Sequence, residues 1–215
     1  MGCEEMQGFL LAKLYEPTAG QILVDGQPLA RMPAQAWRSK VSGAFQDFYR
    51  FEFTAQRSVG VGDLPQLDCE PAVAEAVMRA GATDVIDRLP AGLDSQLGPS
   101  WPNGEELSFG QWQKLALSRS YMRDGPLLMI LDEPTAALDA ETEHELFERY
   151  ADIARVNAGG GITLLVSHRF STVRMADLIV VLDGSRLAQV GSHAELMSRG
   201  GAYADLYDIQ ARSYK

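Results

Sequence analysis

The chain lacks several features that would assign it directly. No Gly-Lys dipeptide occurs in the sequence, so it contains no phosphate loop of the G-x-x-x-x-G-K-[S/T] type. Its apolar runs, such as 127–131 and 178–182, fall far short of the ~20 residues that span a bilayer. The two cysteines, Cys3 and Cys69, have no metal-ligand spacing, which favours a reducing compartment. A net charge of −10 argues against general electrostatic attraction to nucleic acid or anionic lipid.

An alternation of strand and helix patterns is present instead. Phe9, Leu10, Leu14 and Tyr15 are spaced for one buried helix face, and from about residue 51 to 125 helices and loops replace strands. Strands separated by helices predict an α/β fold with a mostly parallel sheet covered on both faces. The predicted strands are 21–24, 41–45, 127–131, 162–166, 178–181 and 186–190. The predicted helices are 33–38, 70–81 (Val73, Val77 and Met78 on one face), 108–122, 140–156 and a C-terminal stretch from 193 interrupted at 200–201.

Asp132 and Glu133 directly follow the five apolar residues 127–131. In a parallel sheet this order places both carboxylates at the carboxyl edge, where ligands bind in open α/β folds. Mg²⁺ prefers such hard oxygen ligands and usually takes one or two carboxylates together with phosphates and waters. The alternative is a buried strand that simply ends in solvated acids.

Ser108, Gly110 and Gln111 stand at the predicted start of the helix 108–122. The first N–H groups of a helix have no partner inside it, so a small, glycine-containing start can hold phosphate. A plain helix capped by Ser108 is the alternative interpretation.

Together, Leu107-Ser108-Phe109-Gly110-Gln111 and the run from Leu131 through Asp132-Glu133-Pro134 to Asp139 resemble the signature and Walker B motifs of the ATP-binding-cassette (ABC) ATPases. The resemblance implies that Asp132 reaches Mg²⁺ through water and that Glu133 polarises the attacking water. It also implies that Ser108, Gly110 and Gln111 face the γ-phosphate of ATP held by the other subunit. Most relatives have Gly where Phe109 stands, and Phe requires ordinary helical or extended backbone there.

Three further residues match this family. Asp139 corresponds to its D-loop acid at the dimer interface, and it would also serve as an N-cap for the helix that begins at 140. His168 matches the switch histidine, whose imidazole bonds the γ-phosphate and holds Glu133 and water in line. Gln46 matches the Q-loop amide, which touches Mg²⁺ and the water.

The resemblance implies a P-loop NTPase (RecA-like) core with a mostly parallel sheet, truncated at its N-terminal side, and an ABC helical subdomain. The expected boundaries are a core at 1–46 and 126–197, a helical subdomain at 47–125 and a helical tail at 198–215. Residues 51–63 follow the family's groove-forming region. The ending from Gly191 onward looks like that of bacterial exporters with fused membrane domains.

The missing phosphate loop has two explanations. Reading back from Tyr15, the expected Lys and Ser/Thr fall near Glu4 and Glu5, and two carboxylates would repel a triphosphate. Either the sequence is a fragment, or it is a degenerate subunit that lends its signature to a partner's ATP. Gln46, Glu133 and His168 would serve a nucleotide held in cis, so we favour a fragment.

The family implies ATP and Mg²⁺ as cofactors, a second nucleotide-binding domain and a transmembrane domain as partners, and no nucleic acid. The expected function is ATP-driven transport of the exporter type, at the cytoplasmic face of the cell membrane, with the isolated chain soluble and inactive. A non-transport ABC ATPase acting on DNA or ribosomes is one alternative, but its usual long insertions and basic surfaces are absent from this sequence. A non-catalytic binding module is another, and the missing lysine favours it.

Overall fold

The computed structural model describes residues 5–133, 161–167, 169–184 and 186–213. The strands are β1 (Leu23–Val24), β2 (Gln27–Pro28), β3 (Val41–Ala44), β4 (Leu128–Asp132), β5 (Ile162–Val166), β6 (Ile179–Asp183) and β7 (Arg186–Gly191). The α-helices are α1 (Glu5–Leu11), α2 (Ala34–Arg38), α3 (Ala55–Gly60), α4 (Glu70–Arg79), α5 (Thr83–Asp87), α6 (Phe109–Ser120), α7 (Phe170–Val173), α8 (His193–Arg199) and α9 (Ala202–Ser213). The predicted helix 140–156 lies outside the described residues.

The central sheet is parallel and has the order β3-β4-β5. Every residue of β4 is buried, as a strand covered on both faces requires. Ala44 pairs with Leu131, and Asp132 pairs with Val166. This register brings the carboxyl ends of the three strands to one edge of the sheet. The prediction of β5 is confirmed to the residue, and those of β3 and β4 to within one residue.

The other strands form two antiparallel pairs, β1-β2 and β6-β7. The expectation of a mostly parallel sheet therefore holds only for the central sheet, and the described strands as a whole are mixed. Asp25 and Gly26 join β1 to β2 with φ of 48° and 75°, the left-handed conformation that a two-residue hairpin turn requires. An Asp-Gly dipeptide is a typical sequence for such a turn.

Residues 47–125 consist of helices and loops, as expected. The β-bridges described within this region, such as Thr54–Gln96, are isolated and belong to no named strand. Helix α6 packs against α3 and α4 on one side and against β3 on the other. Its inward residues Trp112 and Leu115 are buried in the largest hydrophobic cluster, which also contains Leu131 of β4. Helix α6 thus connects the helical region to the central sheet. The domain boundaries given above remain predictions.

Three residues predicted to face inward do not. Helix α1 ends at Leu11 because Lys13 adopts a left-handed φ of 54°, and Leu14 and Tyr15 beyond it are exposed. The Lys13 ammonium instead donates to the carbonyl of Leu29 at 3.0 Å. Met78 is 60% exposed because it follows the buried Val77 by a single position, about 100° further around α4.

The C-terminal helices follow the predicted pattern. Helix α8 ends at Arg199, with Gly200 as its C-cap, and α9 begins directly after Gly201; both glycines have positive φ values, 70° and 95°. Leu196 of α8 and Tyr203 of α9 are buried with Ile179 of β6 in a separate small cluster. None of the described helices is long and apolar enough to be a membrane span.

Candidate functional site

The carboxyl edge of the central sheet gathers three of the predicted site residues. Gln46 follows β3 by two residues and is exposed, Asp132 is the last residue of β4, and Glu133 comes next. Since Ala44 is in register with Leu131, the backbones of Gln46 and Glu133 leave neighbouring strands at the same level. His168 and Asp139 lie outside the described residues. The end of β5 two positions before His168 is at this same edge, paired with Asp132.

Asp132 and Glu133 have different surroundings. The Asp132 residue is 4% exposed, whereas Glu133 is half-buried at the surface of the edge. The Glu133 N–H donates to the carbonyl of Val166 at 3.0 Å, and its φ of 43° lies in the left-handed region. A non-glycine residue in this conformation costs about 1–2 kcal/mol, and such costs are concentrated at functional positions. The bend lets the chain leave the strand immediately after Asp132.

The donors at this edge fit Mg²⁺. Among the described residues, no three His, Cys, Asp or Glu side chains gather as a metal site. A buried carboxylate at Asp132 and a neutral amide at Gln46 provide hard oxygen atoms at one edge. Mg²⁺ is normally held by one or two carboxylates, and waters and substrate phosphates complete its octahedral coordination. Few protein ligands are therefore sufficient for this ion.

The start of α6 is a capped and exposed helix terminus. The Ser108 hydroxyl accepts a hydrogen bond from the Gln111 N–H at 3.3 Å, and the Gln111 side-chain oxygen accepts one from the Ser108 N–H at 2.8 Å. This capping box satisfies two main-chain donors, while Phe109 and Gly110 lie in the first turn, whose N–H groups have no acceptor inside the helix. Nothing lies within 4 Å of the position that a Cβ on Gly110 would occupy. The terminus can therefore be approached by an anion.

Phe109 is an ordinary helical residue, as predicted, and has no positive φ. Its ring lies 5.3 Å from the ring of Phe48 between centroids, and the Arg50 guanidinium lies 5.5 Å from the Phe109 centroid. The chain that leaves the sheet edge at Gln46 thus reaches the start of α6 within two residues. Neither Phe48 nor Arg50 was predicted as a site residue, and the only signal in the sequence was the bulky residue between Ser108 and Gly110.

Arg119 holds the same stretch of chain from the other end of α6. Its Nη1 donates to the Tyr49 carbonyl at 2.7 Å and its Nε to the Ser58 carbonyl at 2.6 Å. Its guanidinium also lies 4.7 Å from the centroid of the Phe51 ring. Desolvation by burial lowers the pKa of Arg119 to about 10, so the side chain remains a cation at neutral pH. This anchor was not predicted, because its contacts are distant in sequence.

Comparisons with known proteins identify the family of the chain. A family model described as "ABC transporter" matches residues 9–136. The chain is 40% identical over 205 residues to the ATP-dependent lipid A-core flippase of Cupriavidus metallidurans, covering 95% of this chain and 33% of the flippase. It is also 40% identical over 202 residues to the flippase of the same name from Methylococcus capsulatus, covering 94% of this chain and 32% of that protein.

The described fold is also similar to a solved structure. A bacterial Atm1-family ABC exporter with ATP bound superposes with a TM-score of 0.83 at 33% identity, over 96% of this chain and 34% of the exporter chain. The chain therefore spans about a third of the length of the relatives it matches. On the strength of the matched family model and of this fold, the chain belongs to the ABC transporter family, as an ATP-binding domain of the exporter type.

Proposed function

We propose that this chain supplies the hydrolytic groups of an ABC exporter, in which ATP binding and hydrolysis drive transport of a substrate across a membrane. The observation that carries the proposal is the register of β3 and β4, which brings Gln46, Asp132 and Glu133 to one sheet edge. Its partners would be a second nucleotide-binding domain and a transmembrane domain, so that the chain acts at the cytoplasmic face of the membrane.

The residues at the sheet edge take separate roles. Asp132 and Gln46 would hold Mg²⁺, which neutralises charge on the phosphates when it is bound. Glu133 would accept a hydrogen bond from the attacking water and polarise it toward the γ-phosphate. His168 would bond the γ-phosphate and hold that water in line. General-base assistance of this kind is worth about 10²–10⁴ in rate.

The exposed start of α6 would act on a different nucleotide. Ser108 and Gly110 would bind the γ-phosphate of ATP held by the partner domain, Gln111 would complete the cap, and Asp139 would lie at the interface between the two domains. The first N–H groups of a helix have no acceptor within it, and this property and the open space beside Gly110 support the role. The two domains would then close head to tail around ATP.

The phosphate loop would come from outside these residues, since no Gly-Lys dipeptide occurs among them. A preceding part of the same protein is the source we propose, because Gln46 and Glu133 serve a nucleotide held by their own domain. A degenerate subunit that only lends its α6 terminus to a partner is the second candidate, which the absent lysine favours. A non-transport ABC ATPase is the third, and the compact helical region 47–125 argues against it.

A fusion protein tests the proposal. The full chain would replace the matching third of the Cupriavidus metallidurans flippase, with the other two thirds of that protein retained. We expect Mg-dependent ATP turnover, lowered about 10²–10⁴-fold by Glu133→Gln and unchanged by Glu70→Gln, an exposed carboxylate at the start of α4. An inactive parent fusion would contradict the proposal, and full turnover in Glu133→Gln would remove Glu133 from its role.

Calorimetry on the chain alone provides the companion measurement. Without a phosphate-binding lysine, we expect negligible Mg-ATP binding at millimolar nucleotide. Binding in the micromolar range would show that the chain needs no outside phosphate loop.

A further inference from the structure

The segment that carries Gln46 is held mainly by side chains. Residues 45–53 leave β3 and belong to no described helix or strand. Gln46 is exposed, and the nearest anchor on its C-terminal side is Phe48, which is partly buried against the main hydrophobic cluster. On the other side of Gln46, Phe45 stacks on Phe9 with centroids 5.0 Å apart, so Gln46 is held between this contact and those of Phe48.

The contacts of this segment alternate. Phe48 and Arg50 lie against Phe109, at centroid distances of 5.3 Å and 5.5 Å. The rings of Tyr49 and Phe51 instead contact each other, with centroids 5.0 Å apart, and the Phe51 ring also contacts the Phe53 ring, with centroids 5.7 Å apart. Alternation with a period of two is the property of extended chain. Consecutive residues thus belong to two separate sets of contacts, and only the set of Phe48 and Arg50 reaches the start of α6.

Phe109 is an unusual residue for its position. It is 48% exposed and stands between Ser108 and Gly110 at the first turn of α6. The hydrophobic core does not require it, since the inward side of α6 is already provided by Trp112, Leu115 and their neighbours. Its described ring contacts are those with Phe48 and Arg50.

We propose that Phe109 is a positioning residue that latches the Gln46 segment to the start of α6. The proposal rests on the proposed function, because it assigns Gln46 to the nucleotide of its own domain and Ser108 to that of the partner. A single ring would then link the two ATP sites of a closed pair of domains. When ATP of the partner fixes the start of α6, the ring contact between Phe109 and Phe48 also fixes Phe48 and, through the chain, Gln46.

The first test uses hydrogen exchange on the 215-residue chain. We expect Phe109→Ala and Phe48→Ala each to speed amide exchange in residues 46–52 by about threefold or more, since local opening follows the loss of anchoring contacts. Phe109→Tyr keeps the ring and should leave exchange unchanged. Met78→Ala removes another exposed apolar side chain, 60% exposed against 48% for Phe109, from α4 and is the matched control. Unchanged exchange in Phe109→Ala would overturn the latch.

The second test uses ATP turnover by the fusion protein described above. We expect Phe109→Ala to lower kcat about tenfold with KM for ATP changed less than about twofold, because Ser108 and Gly110 remain while Gln46 loses its position. Phe109→Tyr should have the turnover of the parent, because it keeps the ring. The double variant Phe48→Ala with Phe109→Ala should lower kcat no more than either change alone. A kcat within about twofold of the parent, or additive losses in the double variant, would overturn the proposal.

The two failures are distinguishable. If the parent fusion does not hydrolyse ATP, the proposed function fails, and the exchange measurement on the chain alone still decides whether the latch exists. If the parent is active and sensitive to Glu133→Gln while Phe109→Ala behaves as the parent, the function stands and the latch does not.

Discussion

Arg119 and Tyr49 are joined by a hydrogen bond of 2.7 Å from the guanidinium Nη1 to the main-chain carbonyl. The bond links the last turn of α6 to the chain that has just left the central sheet. The same guanidinium donates to the carbonyl of Ser58 and lies over Phe51, so one side chain fixes three points of the helical region. It holds the surface beside the sheet edge in place.

We therefore expect Arg119→Ala to lower the free energy of unfolding by about 3 kcal/mol, because it leaves two carbonyls without their charged donor. Arg119→Lys should lose roughly half as much, since an ammonium lacks the planar fork that reaches both acceptors. Urea unfolding at pH 7 gives these values. Arg57→Ala is the control: its pair with Asp68 is mostly exposed, and we expect a change of less than about 0.5 kcal/mol. Equal effects of the Arg119 and Arg57 variants would contradict the anchor.

The left-handed backbone of Glu133 predicts a conflict between stability and activity. Glycine adopts a φ of 43° without penalty, so Glu133→Gly should be more stable than Glu133→Ala by about 1 kcal/mol. Both variants should be inactive in the fusion protein. Chemical unfolding of the two variants in parallel measures the difference. Alanine being the more stable of the two would show that the residue is not strained.

Ser108 combines two roles that substitutions can separate. Ser108→Ala removes the cap of α6 and should cost about 1 kcal/mol of stability. Ser108→Asp keeps a good cap and complements the helix dipole, but it places a negative charge where a phosphate would bind. We expect the aspartate variant to unfold like the parent and to lose ATP turnover in the fusion. Parental turnover in Ser108→Asp would remove this residue from phosphate binding.

Glu195 makes the C-terminal helices sensitive to acid. The main-chain N–H of Ser192 and then its hydroxyl donate to the Glu195 carboxylate, which lowers the pKa of this group below its ordinary value of 4.5. The carboxylate therefore stabilises the fold above pH 4.5, and this stabilisation is lost as the pH falls through the lower pKa of the folded state.

Unfolding midpoints of the parent and of Glu195→Gln, compared across pH, check this expectation. Glutamine can still complete the capping box but cannot ionise. The two proteins should differ at neutral pH and converge in acid. A difference that does not change with pH would contradict the assignment to charge.

Local patterns were sufficient for the elements that form the sheet edge. Five apolar residues followed by two acids predicted β4, and Ser108 as a helix cap predicted the start of α6. Parallel strands end at a common edge, so the convergence of Gln46 with Asp132 and Glu133 was also predictable. His168 and Asp139 stay predictions, because they lie outside the described residues.

Contacts between distant residues could not be predicted. The ring of Phe48 meets Phe109 of α6, and the guanidinium of Arg119 in α6 meets the carbonyls of Ser58 and Tyr49, at sequence separations of 61 and 70 for the two hydrogen bonds. No periodicity within either segment encodes these contacts. The exposure of Leu14 likewise follows from one left-handed residue, Lys13, which helix propensity does not reveal. The antiparallel β6-β7 pair had a usable signal, since Asp183 pairs with Arg186 three positions later and Gly184 directly after Asp183 has a φ of 59°.

The alternating contacts of residues 48–53 also limit how this part of the chain can change in length. Removing one residue between Gln46 and Phe48 would exchange the side chains that meet Phe109 with those of the Tyr49 and Phe51 stack. A tyrosine would then occupy the place of Phe48, and Arg50 would take the place of the residue whose carbonyl Arg119 binds. Substitutions here alter single contacts, whereas an insertion or deletion reassigns all of them at once.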